Sequence, residues 1–314
     1  MNELDNIGEK VRQACIQYYT ELMGKTNIVP SNSARFIPFH FLDFLDKASR
    51  SIYFYYPFLF RRNFPQVDED DLMIIALSGC LYVDHIIIDD GLVDQQYTDP
   101  MLPITIMWSS LLHEKAICLM QKLFAASSPF WGYLEQYHLE YTRAVLLEKA
   151  RHVETLSPYD VQEMEHIAGG KLALAKASTT ALAIRADDIS KLDFLTQSQN
   201  CFAIASQLYD DLLDWKGDWQ KRQYSYLLSM LPLRGDEDKT TVGQVMYYSG
   251  SAEAVLQQSI GYIEQALRHV QGLQCQEWKG VLESFRGRLN RLGADIREIR
   301  ERTLREYASE CSGE

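Results

Sequence analysis

The sequence predicts an all-α protein, and three observations carry that expectation. Long segments rich in Ala, Leu, Glu, Lys and Gln place their apolar residues at helical spacing. Proline and glycine, 9 and 17 in 314 residues, are sparse and regularly placed, so they punctuate the chain. No stretch shows the sustained apolar–polar alternation of a half-buried strand. Helices are expected over residues 3–23, 39–60, 69–95, 104–125, 130–153, 158–185, 191–219, 242–248, 252–271 and 274–307.

Local signals justify several of these elements. Ser128-Pro129 and Ser157-Pro158 each set a capping hydroxyl before a proline at the first helical position. Asp160, three residues after Ser157, completes a capping-box pattern. The apolar run 72–83, bounded by Asp71 and Asp84, is shorter than the roughly 20 residues a bilayer span takes, and it reads as a buried core helix. Gly169-Gly170 predicts a loosened helix that brings backbone near a ligand. The run 234–239 (RGDEDK) is the expected mobile surface connection, and Lys176 is expected at the surface. No linker, low-complexity segment or charge run divides the chain, so residues 1–314 are expected to form one domain.

Composition excludes some functions. A net charge of -12 and a pI near 5.1 argue against nucleic acid as a partner, since phosphate backbones are met by basic surfaces. The six cysteines stand far apart with no CxxC pair, which predicts reduced thiols and neither a zinc site nor a disulfide framework. The polar, acid-bearing start MNELDNIGEK predicts no secretory signal, hence a cytoplasmic location with no membrane-embedded segment. His113-Glu114 lacks the second histidine of a zinc-hydrolase motif.

The chemistry-bearing stretch is 206–226, SQLYDDLLDWKGDWQKRQYSY. At about 100° per residue, Gln207 and the four carboxylates Asp210, Asp211, Asp214 and Asp218 share a narrow arc of one helix. Like charges three and four apart repel, and no cation precedes Lys216 to offset them. Divalent cations coordinated by oxygen explain such a stripe, and Mg²⁺ in particular takes a few carboxylates completed by substrate phosphates. A second acidic run, 86–94 (IIIDDGLVD), repeats the pattern. Asp90 and Asp94 lie one turn apart, Asp89 stands beside Asp90, and Asp84 and His85 lie further back. The competing structural reading is that these acids end a buried helix at its solvated rim. For His85 that reading is a hydrogen bond to Asp89.

These residues resemble the class I isoprenoid synthases, which comprise trans-prenyltransferases, squalene and phytoene synthases and class I terpene synthases. Gln207 through Asp218 looks like the second aspartate-rich motif, and Asp89 through Asp94 like a first one with an extra residue. Lys171 matches the diphosphate-binding lysine of the preceding helix. The resemblance implies a single-domain helical bundle around a central apolar pocket, closest to prenyltransferase-like terpene synthases. It implies about three Mg²⁺ ions bridging both motifs to an allylic prenyl diphosphate, with a homodimer allowed. Metal ligands are expected among Asp89, Asp90, Asp94, Asp210, Asp211, Asp214 and Asp218. Of these, Asp90, Asp210 and Asp214 are expected to be catalytic. Lys171, Lys216, Arg222 and Tyr226 are expected on the diphosphate, with Lys216 and Lys221 equally readable as a solvated helix end. Asp84, His85, Gln207 and Tyr209 are expected nearby. The aromatic run 53–58 could face a carbocation, although core packing is the commoner role of any one such ring. The arginine-rich tail 286–305 alternates with acids as a solvated helix face.

Departures from the elongating enzymes point to one diphosphate site. No arginine occurs between Arg62 and Arg143, Asp94 is followed by QQYTDP, and 31–38 (SNSARFIP) has no Gly-Lys pair. The expected function is therefore a Mg²⁺-dependent terpene synthase that ionises a prenyl diphosphate and cyclises the cation with release of diphosphate. The alternatives are chain elongation or head-to-head condensation, and a non-catalytic partner subunit of such an enzyme.

Overall fold

A computed structural model describes residues 3–25, 52–94, 101–154 and 159–311. The described residues form α-helices with short 3-10 segments and no strand. The helices are α1 Glu3–Lys25, α2 Glu69–Val93, α3 Met101–Met120, α4 Phe130–Glu154, α5 Val161–Lys171, α6 Lys176–Arg185, α7 Leu192–Lys221, α8 Tyr226–Ser229, α9 Lys239–Tyr248, α10 Ser251–His269 and α11 Gln276–Cys311. They divide between two compact units, Met1–Trp131 with Ser178–Ile189, and Gly132–Ala177 with Ser190–Glu314.

The first unit is built around α2. Asp68 caps it by accepting from Asp71 N at 2.8 Å, and Glu69, Asp70 and Asp71 place negative charge at the positive end of the helix dipole. The 25-residue helix falls within the expected 69–95, and by length and composition alone it could cross a bilayer. Within this unit, however, Leu72, Ile75, Ala76, Leu81 and Ile88 are buried, with α1, α3 and the 3-10 segment Ile52–Leu59 packed on α2. Phe54, Tyr56 and Phe58 of the aromatic run are buried too, so these rings pack the core. Residues 39–51 of the expected 39–60 helix lie outside the described residues. Its remainder is 3-10 with Pro57 inside, because proline removes a backbone donor.

The second unit is built around α7, with α10 lying along it and α5 and α8 against it. Small side chains let α7 and α10 approach closely: Ala203, Ala205, Ser259 and Ala266 are all buried. Ser259 donates to Ala205 O at 2.8 Å and Ser198 to Ala266 O at 2.9 Å, so each hydroxyl enters an apolar interface with its proton bonded. Trp278 of α11 is fully buried against Phe202, ring centroids 5.1 Å apart, and donates its indole N–H to Ser198 Oγ. On the exposed side of α11, Arg286 pairs with Glu283 and Arg305 with Glu301, as a solvated face should.

The expected 158–185 helix breaks. Asp160 caps α5 by accepting from Glu163 N at 2.7 Å, α5 ends at Lys171, and a 3-10 turn Ala173–Ala175 precedes α6. Ser157 and Pro158 lie outside the described residues. Ser128 does cap α4, accepting from Phe130 N at 3.3 Å. The 234–239 connection is tied rather than loose: Glu237 accepts from Arg234 N and Gly235 N, its carbonyl takes the Trp219 indole, and Asp238 caps α9. Five carboxylate and carbonyl bonds of this kind explain why a charged run folds back on itself instead of spreading into water.

Tyr19 of α1 donates to the buried carboxylate of Asp84 on α2, and burial pushes that carboxyl up to about 7. The native state therefore holds the Asp84 proton more tightly than the unfolded chain does. Its contribution is full below the unfolded carboxylate range near pH 4 and is lost as pH rises through about 7. In Asp84→Asn the Tyr19 hydroxyl keeps an acceptor and the titration disappears. Chemical denaturation at pH 8 should find this variant more stable than wild type by roughly 2–4 kcal/mol, with the gap closing by about pH 4. A gap that does not change with pH would contradict the assignment.

Candidate active site

One face of α7 carries Asp210, Asp214 and Asp218, with Asp211 turned to the interior. Burial raises the Asp210 carboxyl to about 6, helped by the charges of Asp211 and Asp214. Burial also lifts Asp218 to about 7, with Asp211 and Asp214 adding to it. Lys171 opposes both shifts, so α5 brings its one terminal cation to this acid field. Lys221, in the last turn of α7, also lowers Asp218.

Asp211 has a different setting. It is 3% exposed, accepts from Gln207 Nε2 at 3.0 Å, and accepts from Leu227 N at 3.4 Å. The second bond satisfies a backbone donor at the start of α8, so this carboxylate holds the turn after the acid motif. Burial still raises it to about 6. Tyr159 anchors the same turn by donating its hydroxyl to Tyr224 O at 2.9 Å and its backbone N–H to Ser229 Oγ at 3.3 Å. Tyr226 is buried within α8 and packs near Tyr159. Tyr209 is a packing residue, its ring edge-on to Phe285 with centroids 5.3 Å apart.

Lys171 is held by Glu148 of α4 at 2.9 Å. Glu148 is buried, and its Oε2 has no hydrogen-bond partner among the described residues. A buried carboxylate oxygen left without a donor costs free energy, and its negative charge also raises Asp211. Sequence reasoning missed Glu148 because α4 carries several glutamates and nothing in their spacing marks this one. Gly170 likewise serves packing, not a ligand: a Cβ there would meet Ala144 Cβ at 2.6 Å and Glu140 O at 3.0 Å. The glycine lets α5 press on α4, which is what brings Lys171 to Glu148. Lys176, expected at the surface, is 4% exposed, pairs with Glu140 and lies 4.9 Å from the Tyr137 ring centre.

The remaining expected residues spread out. Lys216 lies over the ring of Trp215 at 5.4 Å. Arg222 ends α7 in a left-handed conformation, φ 55°, and lines a surface depression with Trp219, Tyr224 and Lys239. In the first unit, Asp90 and Asp94 stand one turn apart at the end of α2, with Asp94 as its C-cap. Asp89 accepts from Ser109 Oγ, and His85 reaches Ser109 through Nδ1 at 2.7 Å, with Nε2 3.6 Å from Asp89. His85 thus bonds the serine between it and the acid, which the sequence does not mark.

No group of three acid, histidine or cysteine side chains converges into a ready metal sphere among the described residues. The donors present still fit Mg²⁺, which takes one or two carboxylates and completes its octahedron with water and phosphate oxygens. Asp210, Asp214 and Asp218 stand at four-residue intervals along α7, a carboxylate set of that kind.

The Lys171–Glu148 pair can be tested by removing one partner. Lys171→Met leaves Glu148 buried and unpaired, and should cost about 3 kcal/mol in chemical denaturation. Adding Glu148→Gln should recover most of that loss. Two losses that simply add would show that the residues do not act as a pair.

No protein-family model and no curated protein sequence matches the chain. Solved structures do. The octaprenyl pyrophosphate synthase from Helicobacter pylori matches with TM-score 0.66 and 13% identity, over 90% of this chain and 99% of that one. A decaprenyl diphosphate synthase from Rhodobacter capsulatus matches with TM-score 0.68 and 16% identity, over 90% and 99%. A geranylgeranyl pyrophosphate synthase matches with TM-score 0.65 and 14% identity, over 88% and 98%. The helical fold built from these acidic and apolar stretches is thus the fold of these prenyl diphosphate synthases.

Proposed function

We propose that the chain is a Mg²⁺-dependent isoprenoid synthase of the prenyltransferase type, acting on an allylic prenyl diphosphate. The observation that carries this reading is the acid face of α7 with Lys171 beside it, set in that fold. When bound, Mg²⁺ supplies positive charge to the departing diphosphate. Asp210, Asp214 and Asp218 of α7 would hold cations, and so would Asp90 with Asp94 of α2. Lys171 would leave Glu148 to meet a diphosphate oxygen, adding charge that strengthens as the C–O bond breaks. The electron pair of that bond leaves with diphosphate, and the resulting allylic cation is captured by a carbon–carbon double bond.

Whose double bond is captured separates two readings. The solved structures that share the fold are named as octaprenyl, decaprenyl and geranylgeranyl diphosphate synthases, which supports capture by a second prenyl diphosphate, followed by loss of a proton. The sequence alone favours capture within the same molecule, since 63–142 has no arginine for a second diphosphate. The fold likeness moves elongation ahead of cyclisation, and that arginine-free stretch keeps cyclisation as the second reading.

Purified protein with Mg²⁺, an allylic prenyl diphosphate and labelled isopentenyl diphosphate tests both. Label in a longer prenyl diphosphate is the expected result. An unlabelled hydrocarbon or alcohol would select cyclisation. The Asp210→Asn/Asp214→Asn variant should turn over at least about 100-fold more slowly while melting no lower than wild type. Full activity in that variant would remove α7 from the mechanism.

A further inference from the structure

The end of α2 is a poor place for three carboxylates. Asp89, Asp90 and Asp94 lie in its last turn and a half, where the helix dipole is negative, and no basic residue stands in that turn. Each such acid costs about 0.3–1 kcal/mol, so an isolated helix would fray there. A side-chain clamp on α3 opposes this. Ser109 is 2% exposed and donates its single hydroxyl proton to Asp89 Oδ1. The serine oxygen must then accept from His85, which fixes the proton on Nδ1 of that ring. His113 of α3 lies beside His85 with ring centroids 4.9 Å apart and the rings tilted by 40°, and it meets the Tyr82 hydroxyl at 2.9 Å, so α3 flanks the His85 ring.

We propose that His85 and Ser109 are positioning residues for the first acidic motif. They pin Asp89 to α3, keep the final turn of α2 wound, and so hold Asp90 and Asp94 in the arrangement that receives a cation-bound diphosphate. Asp89 then serves as the anchor, turned about 100° around the helix from Asp90, and the pair one turn apart is the cation-facing one. The inference rests on the function proposed above and assigns the motif's acids different tasks. Hydrogen-bond partners of this kind typically change metal affinity by 10–100-fold.

Mn²⁺ binding to the full chain in the presence of inorganic diphosphate, followed by electron paramagnetic resonance, tests the clamp without turnover. Hydrogen exchange of amides 89–94 is read alongside it. Ser109→Ala and His85→Ala should raise the half-saturating Mn²⁺ about tenfold and speed exchange in that turn. His85→Asn, whose amide donates where Nδ1 did, should stay within about twofold of wild type. Wild-type Mn²⁺ binding in both alanine variants, beside weakened binding in Asp90→Asn/Asp94→Asn, would overturn the clamp and leave the function standing. Unchanged binding in Asp90→Asn/Asp94→Asn would overturn the cation role of the motif, and the clamp with it. Should Ser109→Ala fail to fold, the contrast between His85→Ala and His85→Asn decides the matter alone: equal affinities of the two overturn the clamp.

Discussion

Repulsion among the carboxylates of α7 is the constraint around which the second unit is arranged. Four aspartates in nine residues repel one another along the helix, and partial burial of Asp218 makes the crowding worse. Packing holds the helix together despite this. Ala205 is buried on its opposite side, where α10 lies along it, and the hydroxyls of Ser198 and Ser259 close the polar gaps. On the function proposed above, oxygen-loving cations are the ligands that would convert this repulsion into binding.

The neighbours of α7 divide the labour among acids that look alike. Asp211 turns inward, where Gln207 and the Leu227 amide occupy it and the α8 turn is fixed. Lys171 arrives through a close helix contact that only Gly170 permits, and Glu148 holds it ready. The same division recurs on α2, where Asp89 is bonded to Ser109 while Asp90 and Asp94 lie further round the helix. In each motif one acid of the adjacent pair is hydrogen-bonded within its own unit, Asp211 to Gln207 and Asp89 to Ser109.

Much of this was legible in the sequence. Helical periodicity and sparse punctuation give the all-α class, and the acid spacing gives the α7 face and the Asp90–Asp94 pair. The missing parts share a cause: they depend on which helix meets which. Glu148 and Ser109 sit in helices whose composition is ordinary, and only tertiary contact gives them partners. Gly169-Gly170 reads locally as a helix breaker and α5 does end one residue later, but the close packing of Gly170 on Ala144 and Glu140 depends on which helix it meets. Lys176 reads as a surface cation but has Glu140 and the Tyr137 ring to receive it. The α8 turn, four residues long, is too short for periodicity to register.

The central claim is that the acids of α7 hold a cation that in turn holds a diphosphate. Thermal unfolding of the full chain with Mg²⁺ alone, inorganic diphosphate alone, and both together tests it most directly, because a ligand that binds only the native state raises its melting temperature. Both together should raise it well beyond the sum of the separate effects. A rise with diphosphate alone equal to that with both, or no rise with both, would contradict the claim.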